Sequence, residues 1–324
     1  VGNSTISPDT ALAHQARMLL IGTTVLWGLS FPLLRGLELV QRANVPAISD
    51  GALAAADVAI RFALAAAFLL PIYGAGLMRV TAREWSQAGG LAFFAGGGLY
   101  LQTLGLAWTD ASITAFLTQL YSLIVPLIVS VRDRRFPSAR VLIACALVLA
   151  GAALLSPGLL RHFILGPGEI VIILSTFFMA SQIVWVERPI YAENRPGVVT
   201  ILMFTFLGVF STAAYFILGG TAHHASQLLA TPVLWSLTAT LVLPCTVFTY
   251  FIMNAWQRCV TATEAGLIYS IEPVMASLLA AFLPGWISRF ASISYPNETL
   301  TWTLYIGGAM IIGATVLVAT EKRE

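Results

Sequence analysis

The stretch "GLIYSIEPVMASLLAAF" (Gly266–Phe282) is apolar on both sides of an acid–proline pair, Glu272 and Pro273. A carboxylate is costly among apolar side chains in a membrane, and a proline removes a helical hydrogen bond. Composition says which solvent surrounds the pair. Over 324 residues, 58% are hydrophobic and 10% charged, against about 25% charged in soluble domains. Mean hydropathy is +0.85. A water-soluble domain of this length could not hide so much apolar surface, so the chain reads as a polytopic membrane protein.

The net charge of +2 gives no basic surface for nucleic acid. Cys145, Cys245 and Cys259 fall in or beside apolar runs, without metal spacing or a disulfide framework, and read as small packing residues. The first apolar run follows a polar segment and is long enough to span, so it reads as a membrane helix rather than a cleavable leader.

Ten runs are long enough to cross about 30 Å of hydrocarbon as helices. They are placed at Met18–Leu39, Asp57–Leu77, Glu84–Leu106, Ala111–Val131 and Ala139–Ser156, then at Gly168–Glu187, Val198–Gly219, Pro232–Asn254, Thr263–Pro284 and Thr301–Thr320. Connections such as "RDRRFPSAR" (Arg132–Arg140) and "ERPIYAENRPG" (Glu187–Gly197) hold the breakers and charges. One side takes Arg17, Arg79, Arg83, Arg132, Arg134, Arg135, Arg140, Arg188, Arg195, Arg258, Lys322 and Arg323; the other takes Arg35, Arg42, Arg61, Arg161 and Arg289. The excess places both termini in the cytoplasm. Six tryptophans, Trp85, Trp108, Trp235, Trp256, Trp286 and Trp302, sit near predicted helix ends as interfacial anchors, while Trp27 and Trp185 lie deeper.

The two halves echo each other. A shift of 151 lays "DASITAFLTQLYSL" (Asp110–Leu123) on "TATEAGLIYSIEPV" (Thr261–Val274), with Tyr121 on Glu272 and Ser122 on Pro273. A shift of 162 lays "CALVLAGAALL" (Cys145–Leu155) on "GGAMIIGATVL" (Gly307–Leu317). Each half, 1–160 and 161–324, then holds five helices. Two odd-numbered copies in tandem must insert in opposite directions, which gives an inverted repeat with a solute site expected at mid-membrane.

At these residues a family resemblance enters. "VLWGLSFPLLRGL" in the first span, "ATEAGLIYSIEPVMASLLA" in the ninth and "GGAMIIGATVL" in the tenth resemble EamA-type members of the drug/metabolite transporter superfamily. Within it the chain is most similar to bacterial exporters of amino acids, aromatic ones above all, and of metabolites. The resemblance implies a basket of helices around a central cavity, with spans five and ten peripheral, in the bacterial inner membrane. The family often has a Gly-Glu pair after spans four and nine. This chain reads "RDRRF" and "PGWISRF" there, so no role for loop acids is carried over.

Glu272 is expected about nine residues into its span, roughly 14 Å deep. Three roles are open to it: a protonated acid bonded to neighbouring backbone, a partner for a solute ammonium, or a proton carrier that couples transport to the gradient. Pro273 either shapes packing by a kink or aims freed backbone into a cavity. Candidate substrate-binding groups at similar depth are Trp27 and Ser30 on the first span and Tyr100 and Gln102 on the third. Thr118, Gln119 and Tyr121 follow on the fourth, Gln182 and Trp185 on the sixth, Tyr250 and Asn254 on the eighth, and Tyr269 on the ninth. Each alone reads first as an interhelical hydrogen bond, worth about 0.6 kcal/mol, and as a set they read as the lining of a polar-aromatic cavity. Arg61, about four residues inside its span, is expected to snorkel. Mid-membrane depth then holds no fixed cation for a phosphorylated solute, and amides, hydroxyls and aromatic faces suit a neutral or zwitterionic one.

A membrane enzyme would need a reactive cluster inside, but His14, His162, His223 and His224 all fall outside the predicted spans, the last two in a loop. No Walker A sequence is present. The expectation is an all-α, ten-helix inverted-repeat exporter working by alternating access, not an enzyme, with no cofactor and no metal. Its partners are a small-molecule solute, membrane lipids and, in the coupling case, protons; it is a monomer or weak homodimer. A facilitative channel or a lipid or drug translocator of the same fold is the alternative.

Overall fold

With so few charges to end a helix, caps and prolines set the element boundaries. The computed structural model describes residues 8–109, 111–155 and 165–319. Asp110, Ser156, Arg161, His162, Thr320, Lys322 and Arg323, named above, lie outside them. Among the described residues there is no strand. The helices run α1 (Pro8–Asn44), α2 (Asp50–Leu77), α3 (Ala82–Leu106), α4 (Ala111–Thr118), α5 (Tyr121–Asp133) and α6 (Ala139–Leu155). Then come α7 (Pro167–Val186), α8 (Pro196–Ile217), α9 (Ala222–Leu229) and α10 (Pro232–Val242), followed by a π-helical turn (Leu243–Phe248). The chain continues through α11 (Thr249–Trp256), α12 (Ala262–Tyr269), α13 (Glu272–Ala280), α14 (Leu283–Ala291) and α15 (Trp302–Ala319).

Six helices are long and apolar enough to cross a membrane, and the pair Ala262–Ala280 and Leu283–Ala291, bent by 58°, makes a seventh when taken as one span. Large apolar side chains cover the outside: Phe93 and Phe210 are each 64% exposed and Ile217 83%. Polar side chains such as Thr114, Ser122, Thr176 and Thr246 are buried. Apolar out and polar in is the distribution that lipid selects, and it makes this an all-α membrane protein.

Several boundaries differ from expectation. Ser49 caps α2, its Oγ accepting from Ala52 N at 3.2 Å, so the helix starts at Asp50 and carries Asp57 inside it. The fourth span breaks at Gln119–Leu120, where Gln119 N and Leu120 N donate to Phe116 O and Leu117 O in tightened turns. The ninth breaks at Ser270–Ile271, so Glu272 opens its own helix with Pro273 in the first turn, where a missing N–H costs least. Pro284, expected to end the ninth span, instead sits in the first turn of α14. His223 and His224 lie on α9, capped by Thr221, rather than in a loop.

α2 packs along α8, α3 along α7 and α6 along α15, while α1 crosses α13 and the α10–α11 segment. Glycines set the closest crossings. A Cβ on Gly28 would lie 2.6 Å from Met275 Cβ and 3.1 Å from Glu272 O, so only glycine lets α1 meet α13 here. Between α6 and α15 the approach is at Gly151 and Gly307, whereas Gly313 faces open space. Gly28→Ala is expected to cost about 1–3 kcal/mol through overpacking, read as a lower melting temperature in detergent. Gly22→Ala, with nothing within 4 Å of its Cβ, is expected to leave it unchanged.

Candidate functional site

The helix breaks and α1 enclose one cleft of about 760 Å³, its mouth included, lined by α1, α2, α3, α4, α5, α7, α11, α12 and α13. Of the sequence-chosen residues it brings together Trp27, Ser30, Gln102, Thr118, Tyr121, Gln182, Tyr250, Tyr269 and Glu272. Trp27 is the aromatic hinge of the wall: its ring meets Tyr269 edge-on at 5.1 Å and Tyr250 at 5.8 Å. Two amides are held by side chains in or near the wall. Gln102 Nε2 donates to Thr118 Oγ1 at 3.2 Å, and Gln182 Nε2 reaches Met253 Sδ at 3.7 Å. Ser30 spends its hydroxyl on Trp27 O at 2.7 Å, which leaves its oxygen free to accept.

Five expected residues lie elsewhere. Trp185 packs on Gly90 of α3, donating to Gln87 O at 3.3 Å under the Arg188 guanidinium. Asn254 Nδ2 donates to Thr200 Oγ1 at 3.0 Å across the α8–α11 contact. Tyr100 packs with the second apolar cluster, its hydroxyl beside Gly51. Gln119 is buried at the break of the fourth span and Pro273 lines a neighbouring cavity. All sit at suitable depth; depth does not say which way a side chain faces.

Arg61 requires a correction. It does not snorkel. The earlier start of α2 puts it eleven residues from Asp50, roughly 16 Å at about 1.5 Å per residue, and it lines the cleft at 6% exposure. The cleft therefore does hold a fixed cation. The residues that hold it come from the π-helical turn, where Pro244 lacks an N–H and the wider winding frees backbone acceptors. Arg61 Nε donates to Thr246 Oγ1 at 2.5 Å, and Nη2 to Cys245 O at 3.1 Å. The signal was in the sequence: "ISD" at Ile48–Asp50 is an N-cap, and it moves the helix start seven residues earlier.

Glu272 lines the same cleft, and among the described residues its carboxyl has no hydrogen-bond partner and no ion pair. The bonded-backbone role is therefore absent in this conformation. Beside it lie Tyr121 and Arg61, both within electrostatic reach.

One end of the cleft is sealed. Tyr269 Oη donates to Gln257 Oε1 at 2.9 Å, and Gln257 Nε2 donates to Ile183 O at 2.7 Å, with Gln257 fully buried. Beyond this tie Arg17 pairs with Glu264, and Arg195 with Glu84 at 2.7 Å. At the other end Phe31 lines both the cleft and a second cavity of about 870 Å³ that holds Arg35, Phe116, Tyr295 and Glu298. Tyr295 belongs to the connection between α14 and α15, and burial pushes its hydroxyl up to about 12. That connection folds back on the bundle: Asn297 Oδ1 accepts from Gly285 N at 2.6 Å, in the first turn of α14.

No family model and no curated protein matches the chain. Among solved structures, one crystal structure, described only as that of a protein, superposes with a TM-score of 0.63. The match covers 94% of this chain and 96% of that one at 16% identity. At that identity the likeness is one of fold.

The sealed end makes its own prediction. Gln257→Leu leaves the Ile183 carbonyl and the Tyr269 hydroxyl buried without partners, at about 1–3 kcal/mol each. Tyr269→Phe leaves the bond to Ile183 intact and is expected to cost less. Melting temperatures in detergent should fall in that order; the reverse order would show that Gln257 does not carry the tie.

Proposed function

We propose that this protein is a secondary transporter of the EamA-like drug/metabolite type. It exports small neutral or zwitterionic metabolites, aromatic or hydrophobic amino acids first, across the bacterial inner membrane by alternating access. The observation that carries the reading is Glu272: an acid set in a mid-membrane cleft, opposite aromatic rings, with no hydrogen bond or ion pair to the described protein. Intramembrane acids that face a cavity in this way mark solute and proton paths.

Ten spans in two inverted repeats fit the packing. In this count α4–α5 is the fourth span, α10–α11 the eighth and α12–α13 the ninth. A shift of 151 carries Ala111, Thr118 and Tyr121, the bounds of α4 and the start of α5, onto Ala262, Tyr269 and Glu272, the bounds of α12 and the start of α13. Both broken spans thus break at equivalent residues, although only one has a proline there. Exchanging each span with its counterpart five places on also maps the contacts onto themselves. The α2–α8 and α6–α15 pairs map onto themselves, and α3–α7 exchanges with α1 against α10–α11.

Residues in or next to the loops assigned to the cytoplasm meet one another, as in Arg132–Glu187 and Arg83–Glu193, and Arg17 meets Glu264 in the first turn of the ninth span, which supports both termini on that side. A cleft sealed on the cytoplasmic side and adjoining an outer cavity fits an outward-facing carrier rather than a continuous channel. In this reading protons couple through Glu272, and lipids meet the exposed apolar faces.

Purified protein in liposomes, given labelled aromatic amino acids with and without a pH gradient, tests this. Saturable counterflow is expected, and Glu272→Gln is expected to cut gradient-driven flux by on the order of tenfold or more with little change in melting temperature. Linear, unsaturated flux would point to a channel, and unchanged gradient-driven flux in the variant would remove the coupling role.

A further inference from the structure

We propose that Arg61 is the carboxylate anchor of the cleft, so that the transported solute must carry an anionic group held by its guanidinium. The assignment rests on the transporter reading above and narrows it: uncharged solutes and simple amines are excluded.

A guanidinium has five N–H donors. Nε and Nη2 share its side edge, and that edge is taken by Thr246 Oγ1 and Cys245 O. Both acceptors are neutral. Among the described residues no carboxylate lies within 4 Å of Arg61. The nearest acids are Asp57, one turn earlier on α2 and bonded to Gln41 at 2.5 Å, and Glu272; both interact with Arg61 only at range. The Nη1–Nη2 end is therefore unclaimed by the protein, on a buried cation that lines the cleft. An unpaired buried charge is costly. The group whose geometry matches that free fork is a carboxylate, bound through two parallel bonds.

The surroundings complete a recognition site. The turn that grips the side edge also fixes the guanidinium plane, so its free end is presented in one orientation. Glu272 and the faces of Trp27, Tyr250 and Tyr269 suit an ammonium. Leu99, Met179 and Met253 offer apolar wall to a side chain. A cation, an acid and an aromatic-apolar wall in one cleft are the inverse of an aromatic or aliphatic α-amino acid.

The test uses counterflow of labelled L-phenylalanine in liposomes, with unlabelled L-phenylalanine, L-phenylalaninamide and phenethylamine as competitors. In the unaltered protein phenylalanine is expected to compete at least about tenfold better than the amide, since bonds to charged groups are the strong ones. Arg61→Gln is expected to erase that ranking. Arg61→Lys, which keeps the charge without the fork, should retain a part of it and guards against misfolding of the neutral variant. Equal competition by acid and amide, or a ranking kept in Arg61→Gln, overturns the assignment while leaving the transporter reading standing.

If the unaltered protein carries no phenylalanine, that reading fails first, and melting in detergent decides about Arg61. Phenylacetate should raise the melting temperature of the unaltered protein and not of Arg61→Gln, with phenethylamine inert on both. No shift with phenylacetate, or the same shift in both proteins, overturns the anchor.

Discussion

Hydrocarbon cannot hydrogen-bond a backbone, so a helix inside a membrane can break only where something else satisfies the freed groups or where a cavity receives them. Most of this fold follows from that constraint. The chain interrupts its apolar helices at Gln119–Leu120, at the π-helical turn from Leu243 to Phe248 and at Ser270–Ile271. Thr118, Tyr121, Tyr250, Tyr269 and Glu272, which border these interruptions, all line the central cleft. The freed groups are used there. Thr249 Oγ1 and Arg61 both donate to Cys245 O, and tightened turns take up the amides of Gln119, Leu120 and Ile271. A cavity at mid-depth is thus built into the backbone rather than left over by packing.

The same constraint explains why the acid and the proline sit side by side. Once the ninth span breaks at Ser270–Ile271, Pro273 falls in the first turn of α13, where the lost N–H had no partner to lose. Glu272 then sits at a helix start, where the partial positive charge of exposed amides tolerates an acid best. Its repeat counterpart, Tyr121, starts α5 in the same way without an acid or a proline. On the inverted-repeat reading, the backbone device is shared by both halves and the charge is confined to one. A site built on a symmetric scaffold thereby becomes asymmetric, with Glu272 from one half and Arg61 from the other.

Much of this was legible from the residues. Hydropathy located every long helix because lipid demands it, whereas the close crossing of α1 at Gly28 against Met275 was not read from the sequence. Depth alone misled in two ways. The second span was expected to start at Asp57, yet Ser49 caps the helix earlier and Gln41 takes up the buried acid, so Arg61 lies deeper inside its helix than expected. Trp185, Tyr100 and Asn254 share the right depth, but they face α3, the second apolar cluster and α8, and facing is decided by crossings such as Gly90 against Trp185. The break at Gln119–Leu120 carries no proline, so nothing local announces it; only its match to Ser270–Ile271 does.

The two ends of the cleft differ in kind, and that difference bears on how a carrier of this plan would move. The sealed end is held by directional bonds among buried polar groups, Tyr269 to Gln257 to Ile183, with the Arg17–Glu264 pair beyond them. The other end is held by an apolar side chain, Phe31, between two cavities. Phe31 lies on α1 four residues beyond Trp27, and Gly28 between them is the point where α1 touches α13. Any change in how α1 crosses α13 would move Phe31 and Trp27 together, and would load Tyr269, which Trp27 contacts edge-on. On the proposed reading, a solute drawn between Arg61 and Glu272 would press on those rings. In the proposed carrier the same contact would report to both ends, so one crossing would couple the opening of one end to the closing of the other.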